Sequence, residues 1–299
     1  MNTGDNRPRL PRYKRAETPP PMRLTDRDER MIAWVNELRF ATREQIQLLL
    51  FTPHGSSACK RRLTLLYHSG FLDRRLIPLR SSFGANRAAY CLDHRGADLL
   101  MLQRKTGAAD AVWRPRDNSP EFHFIEHHLA ANDVRIAVTL AAEQQSLGLE
   151  WTEERTLRSV EMRARVLDPK HPGRHLSVVP DGYFTLEVDG ARLGFALELD
   201  RGTVEERPFK EKVRALREWR RSGVQAERFG DGRFRVLFVV APNTRDRNRL
   251  ARIKGWTEAE GGKRLFWFAD LSEVTPVAVL GNPIWQVASE SGRFALLSG

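Results

Sequence analysis

Three carboxylates set the chemistry that this chain has the means to perform. The stretch from Val178 to Trp219 reads VVPDGYFTLEVDGARLGFALELDRGTVEERPFKEKVRALREW. Pro180-Asp181 leads into one extended segment, Asp189-Gly190 is a strong hairpin signal, and FALELD is the returning strand. Period-2 alternation puts Phe195, Leu197 and Leu199 on one face of that strand and Glu198 and Asp200 on the other. Where Asp181 reaches the same edge, three negative groups converge, which is costly unless a cation sits among them. Asp181, Glu198 and Asp200 are therefore the expected ligands of Mg2+ or Mn2+, hard ions that take oxygen donors.

The elements that must position these groups are legible around them. After Pro208, a good residue for the first turn of a helix, Phe209, Val213, Leu216 and Trp219 recur as a buried helical stripe; Lys212 falls between Leu216 and Trp219, while Lys210 points elsewhere. Glu121 to Leu147 reads as a long helix stopped by Gly148, followed by strand patterns at about 149–160, at the hairpin, and at Arg233 to Ala241. The last of these is apolar almost throughout, as a strand covered on both faces must be. A helix at 245–260 and a strand at 264–268 complete a mixed sheet with helices on both sides. Within the long helix, His123, Glu126 and His127 match the H-x-x-E-H spacing of zinc peptidases, but no downstream acidic ligand accompanies them. Glu126 is instead a further candidate ligand for the acidic cluster.

The amino-terminal half is of another kind. Residues 1–106 hold 20 Lys/Arg against 10 Asp/Glu, so this third carries +10 of the chain's net charge of +11. Such a local basic excess is the electrostatic footprint of a polyanion. Thr25 with Asp28, and Thr42 with Gln45, have capping-box spacing ahead of two apolar helical stripes, and a third helix is expected from Ser56 to Ser69. One side of its wheel carries Ala58, Arg62, Leu65 and Leu66; the other carries Ser57, Lys60, Arg61, Thr64 and His68. Two short strand patterns follow, FLDRRLIPL and AAYCLD, with Arg80 and Arg87 at the connecting tip. Three helices and a basic two-stranded ribbon predict a winged helix-turn-helix that reads duplex DNA with its third helix. Ser57, Lys60, Arg61, Thr64, His68, Arg80 and Arg87 are the expected DNA contacts.

Pro-Asp ahead of one strand and Glu followed two residues later by a polar group on the next resemble the PD-(D/E)xK nuclease core. Together with the amino-terminal half, the chain resembles the replication-relaxation family of plasmids and mobile elements, whose segments run roughly HxLxxNDVRxA, PD and ExDRGT. Here these are His128, Leu129, Asn132, Asp133, Val134, Arg135 and Ala137, then Pro180-Asp181, then Glu198, Asp200, Arg201, Gly202 and Thr203. The resemblance implies a winged helix joined to a restriction-endonuclease-like domain. It also exposes a departure, because the last motif position, normally a catalytic Lys, is Asp200. Lys212 is the candidate for a lysine that has migrated to the following helix.

The expected architecture is α/β, α+β overall: a basic disordered arm at 1–23, a winged helix at 24–106, a linker at 107–120 and a nuclease-like domain with a mixed sheet at 121–299. The expected function is DNA binding in the replication or conjugative transfer of a mobile element. Alternatives are a metal-dependent endonuclease or nickase using Asp181, Glu198, Asp200 and Lys212, and a winged-helix transcriptional regulator with an inert second domain. Partners would be double-stranded DNA and other replication or transfer proteins; the sequence leaves the oligomeric state open. No apolar run nears the roughly 18 residues of a membrane span, and the start has no apolar core of a secretory signal, so a cytoplasmic protein is expected. Cys59 and Cys91 have neither metal-ligand spacing nor a disulfide framework. The absence of a phosphate loop and of a G-x-S-x-G elbow removes support for a nucleotide-driven motor or an acyl hydrolase.

Overall fold

The computed structural model describes residues 10–77, 87–104, 113–118, 121–159, 162–242 and 246–297. The chain packs as two units, residues 1–132 and 133–299, so the division falls inside a helix and not at the composition change near residue 120. In the first unit, α1 (Asp26–Leu38) leads through β1 (Ala41–Thr42) to α2 (Arg43–Leu50) and α3 (Ser56–His68). Then come β2 (Leu72–Ile77), β3 (Arg87–Leu92) and α4 (His94–Arg104). Both capping boxes form: the Thr25 N–H donates to Asp28 Oδ2 at 2.8 Å, and the Thr42 N–H donates to Gln45 Oε1 at 2.9 Å. The short β1 turns the expected two-stranded ribbon into a three-stranded antiparallel sheet, ordered β1-β3-β2.

Among the described residues of this unit, the buried carboxylate is a paired one. Asp28 has no exposed surface, and Arg62 reaches it from α3, with Nε 2.7 Å from Oδ1. Burial alone would raise the Asp28 pKa, but hydrogen bonds from Arg62 and Thr25 outweigh it and hold the carboxyl below its ordinary value. Arg62 thereby ties α3 to the start of α1. The buried residues of α3 are Cys59, Leu63, Leu66, Tyr67 and His68, whereas Ala58, on the side of the wheel opposite Lys60 and Arg61, is exposed. Both cysteines are buried and free, with burial pushing the thiol pKa up to about 11 at Cys59 and about 12 at Cys91.

The helix α5 (Phe122–Gln144) begins in the first unit and ends in the second. In the first, Ile125 and Leu129 join a core with Phe40, Ile77, Ala89 and Cys91, and Asn132 Nδ2 donates to the carbonyls of Leu38 (3.0 Å) and Phe40 (2.7 Å). In the second, Arg135 lies over the Trp151 ring and 3.2 Å from Glu153. The N-D-V-R run is thus a packing device, satisfying backbone carbonyls with its Asn and capping an aromatic stack with its Arg.

The second unit continues with β4 (Gly148–Glu153), α6 (Glu154–Leu157), β5 (Ala164–Leu167), β6 (His175–Val178), β7 (Gly182–Val188), β8 (Ala191–Asp200), α7 (Glu206–Arg221) and α8 (Val224–Phe229). It ends with β9 (Arg233–Val240), α9 (Arg249–Ala259), β10 (Phe266–Asp270) and β11 (Gln286–Val287). Six strands form one mixed sheet, ordered β11-β10-β9-β8-β7-β4. The strands β4, β7 and β8 run antiparallel, and β9 and β10 add in parallel to β8. A helix, three antiparallel strands, a helix and a parallel strand build the α/β architecture with a mixed sheet that the sequence predicts. The β7–β8 hairpin closes at Asp189-Gly190, where φ values of 48° and 75° supply the left-handed pair that a tight turn requires. The strand expected at 149–160 stops at Glu153; the chain then makes α6 and a separate antiparallel ribbon, β5–β6, before β7.

One face of the sheet stacks Trp151, Phe184 and Phe195, with centroids 5.0 and 4.8 Å apart, and α5 meets it through Arg135. The opposite face carries α7, whose Phe209, Val213, Leu216 and Trp219 are buried as the wheel predicts, and α9 through Ile253. On that face Tyr183, Gln225 and Asp231 make a closed hydrogen-bond network. Burial raises the Asp231 pKa, and the bonds from Tyr183 and Gln225 offset this only in part. Gly194 leaves the room for it, since a Cβ there would overlap both the Asp231 carboxylate and the Tyr183 hydroxyl. Gly194→Ala is expected to cost about 1–3 kcal/mol through overpacking, read as a lower denaturation midpoint. An unchanged midpoint would show that the network yields freely.

Candidate functional site

Asp181, Glu198 and Lys212 meet at the edge where β7 begins and β8 ends. The Asp181 N–H pairs with the Leu197 carbonyl at 2.9 Å, while its Oδ2 accepts from the Leu199 N–H at 2.7 Å. That double tie fixes the Asp181 carboxylate beside Glu198. Glu198 is only 3% exposed and faces α7, where Lys212 Nζ stands 2.5 Å from its Oε2. The helical phase anticipated for Lys212 is what delivers it. Lys210, on another side of the helix, pairs with Glu206 at 2.5 Å. Burial would lower the Lys212 pKa, but the charges of Glu198, Asp181 and Asp200 outweigh it and raise the ammonium above its ordinary value. Glu198 and Lys212 lie in the wall of an open pocket of about 340 Å3, together with Ser177 and Val178 of β6 and Arg207 and Glu211 of α7.

Asp200, expected as a third ligand, has another task. Arg249 grips it with both ends of its guanidinium, at 2.8 and 2.7 Å, and its Oδ1 also accepts from the Gly202 N–H at 2.7 Å. Gly202 has φ of 76°, so the glycine of the D-R-G-T run permits the corner that follows β8. Arg249 further donates to the Val204 carbonyl at 2.6 Å and packs over Trp256. Both Asp200 and Arg249 are buried, and a carboxylate shielded from water needs such a cation. Among the described residues no three His, Cys, Asp or Glu side chains gather as a metal-ligand group. The expected three-carboxylate cluster is therefore replaced by two carboxylates and a lysine. Glu126, the further candidate, belongs to the first unit, and Asp181 and Glu198 to the second. His123 is exposed, 3.4 Å from Glu121.

In the first unit, Ser57, Lys60 and Arg61 are exposed on α3, and the two basic side chains have no ion pair among the described residues. Thr64 is half-buried, its hydroxyl donating to the Lys60 carbonyl at 2.8 Å. Arg87 is exposed at the start of β3, and Arg80 lies outside the described residues. His68 does not share the basic face. It is 1% exposed, and its Nδ1 accepts from the Ala16 N–H at 3.0 Å. Burial, then Arg74 and Arg15, lower its pKa, so the ring is held neutral as an acceptor. The cause is the segment Arg12–Ala16, expected to be disordered: Arg15 pairs with Asp93 at 2.6 Å and covers the Tyr67 ring, closing the last turn of α3 from solvent. On the open side, Arg61 with Arg23 and Arg27 lines a concave surface of about 660 Å3 that the helical wheel gave no reason to expect.

The replication-relaxation family model matches residues 32–233. The chain belongs to the replication-relaxation family. Within this family member the matched region holds α3, the N-D-V-R run of α5, Asp181, Glu198, Asp200 and Lys212, whereas Arg249, the partner of Asp200, lies beyond it. No curated protein matches it significantly. Among solved structures, the restriction endonuclease FokI bound to DNA is similar at 12% identity and a TM-score of 0.25, over 85% of this chain and 45% of the other. FokI alone is similar at 12% identity and a TM-score of 0.26, over 85% and 44%. This replication-relaxation protein thus spans less than half the length of either. None of its described helices is long and apolar enough to cross a membrane.

Proposed function

We propose that the chain is a DNA-binding protein of a plasmid or other mobile element, acting in its replication or transfer. In this reading the first unit is a winged helix that docks on duplex DNA, and the second carries a metal-dependent centre that cleaves a phosphodiester. The observation that carries the reading is Lys212 Nζ at 2.5 Å from Glu198, beside Asp181 and in the wall of an open pocket. A lysine supplied from α7 replaces the one missing from the motif at Asp200. The rival reading, a transcriptional regulator with an inert second unit, draws its support from Asp200 at that position, and Lys212 removes the need for it.

Magnesium is ordinarily held by one or two carboxylates, with water and phosphate completing its shell, and manganese accepts the same donors. Asp181 and Glu198 fit that requirement, each already oriented by a hydrogen bond, from the Leu199 N–H and from Lys212. When bound, the ion would stabilise charge on the phosphoryl group and make water a better nucleophile. Lys212 remains protonated and offers its ammonium to the negative charge that develops on a phosphate oxygen. The Arg249–Asp200 pair fixes the corner between β8 and α7, and with it the distance from Glu198 to Lys212.

The DNA-binding part draws support from the exposed basic face of α3, the strand order β1-β3-β2 and Arg87 at the ribbon. Replacing Lys60 and Arg61 with Ala is expected to weaken duplex binding by about tenfold and to reduce the slope of log affinity against log salt by up to about 2, near 0.9 for each lost phosphate contact. Gel shifts at several salt concentrations measure both. Unchanged affinity and slope would move the binding surface off α3. For the catalytic part, the parent protein should nick or linearise supercoiled DNA in millimolar magnesium or manganese and stop on chelation. Failure with both ions would remove the cleavage reading and leave DNA binding standing.

A further inference from the structure

The ribbon β5–β6 has one face in the core and one in solvent. Ala164, Val166, Leu176 and Val178 are buried against α7, while Arg165, Leu167, His175 and Ser177 are exposed on the other side. No carboxylate belongs to the outward face of either strand. The ribbon is also locked in place. Asp168, at the end of β5, is buried against Arg214 of α7 at 3.3 Å; Arg214 reaches Glu260 at 3.4 Å, and Lys170 from the ribbon's loop meets the same Glu260 at 2.7 Å. Moving the ribbon would strip charges from buried partners, so its outward face keeps a fixed position relative to α7.

That fixed position is beside the centre. Ser177 lines the pocket that holds Glu198 and Lys212, and Arg165 is the register partner of Ser177. Directly paired residues on one face of a two-stranded ribbon have Cβ atoms about 5 Å apart. Arg207, in the first turn of α7, is exposed and lines the same pocket. Neither Arg165 nor Arg207 has an ion pair among the described residues, whereas Arg174 nearby is matched to Glu211 at 2.6 Å. One unmatched guanidinium, Arg207, therefore lines the pocket, and a second, Arg165, stands across the ribbon from its lining residue Ser177; a guanidinium is the side chain best shaped to grip a phosphate.

We infer that the outward face of β5–β6 is a second DNA-binding surface, on which Arg165 and Arg207 hold backbone phosphates to either side of the one presented to Glu198 and Lys212. The inference rests on the reading of the second unit as one that acts on DNA. A strand is a continuous polyanion, so placing one phosphate in the pocket carries its neighbours past the rim, toward Arg207 on one side and the outward face of the ribbon with Arg165 on the other.

The test uses the full chain carrying Lys60→Ala and Arg61→Ala, which exposes binding by the second unit, with a short DNA duplex and its single strand in EDTA. Adding Arg165→Glu should lower the residual affinity by about tenfold and the salt slope by about 1. Arg165→Lys should keep most of the binding, and thermal unfolding should be unchanged because Arg165 is exposed and unpaired. Arg221→Glu is the control: it makes the same charge change at the other end of α7, about 20 Å from Arg207 at 1.5 Å per residue. Equal weakening by Arg165→Glu and Arg221→Glu, or no weakening by Arg165→Glu, overturns the inference. A parent that cleaves DNA while Arg165→Glu binds normally sinks the ribbon and leaves the centre intact; a parent that never cleaves while Arg165→Glu loses affinity does the reverse.

Discussion

Glu198→Gln should reduce DNA cleavage by about 10²–10³-fold or more, the scale of losing one electrostatic group at a reacting centre. The substitution keeps the shape of the side chain and removes its charge, so a buried position that is only 3% exposed is not emptied. In the proposed centre two things are lost together: a ligand for the cation and the counter-ion of Lys212 at 2.5 Å. Thermal unfolding with and without magnesium separates them, because a ligand that binds only the folded state raises its stability. Glu198→Gln should lose that rise. Lys212→Ala should lose cleavage but keep the rise or enlarge it, since the ammonium no longer competes with the metal for Glu198. Cleavage at the parent's rate by Glu198→Gln would place the chemistry elsewhere. The pH behaviour of the pair follows from the same charges. Its pKa is raised above the ordinary 10.5, so the stability of the pair is fully present below that value and is lost only as pH rises through the higher folded value. At neutral pH Lys212 is therefore protonated, which fits the electrostatic part proposed for it.

Arg249→Met should destabilise the second unit by about 3–5 kcal/mol, the usual cost of leaving one member of a buried ion pair without its partner. Asp200 and Arg249 have side chains 4% and 5% exposed, so water cannot replace what is removed. Asp200→Asn should destabilise as well, though less, because an amide oxygen still accepts from the Gly202 N–H. Combining the two should cost less than the sum of the single changes, as groups in direct contact are not additive. Chemical denaturation gives these values, and the magnesium-induced rise in unfolding temperature gives the discriminating one. A structural Asp200 predicts that Asp200→Asn lowers stability while the folded protein still responds to magnesium. The opposite result, intact stability and no metal response, would restore Asp200 as a ligand.

Much of the centre was legible because it depends on local geometry. Strand alternation put Glu198 on the face opposite Phe195, Asp189-Gly190 specified the hairpin that brings Asp181 alongside, and helical phase selected Lys212 over Lys210. The apolar run of β9 announced a strand covered on both faces, and the capping boxes marked where α1 and α2 begin. What escaped depends on contacts between distant segments. Alternation gave Asp200 the side of Glu198, but its partner is Arg249 on a helix of which it shares no local pattern, and that guanidinium turns a would-be ligand into a corner post. A helical wheel fixes the angles between residues and not which side meets the core, so His68 read as part of the basic face until Arg15 and Ala16 covered it. The β5–β6 ribbon, short and interrupted, carried too little periodicity to announce itself; the buried Asp168–Arg214–Glu260 charges that hold it to α7 come together only when the chain folds.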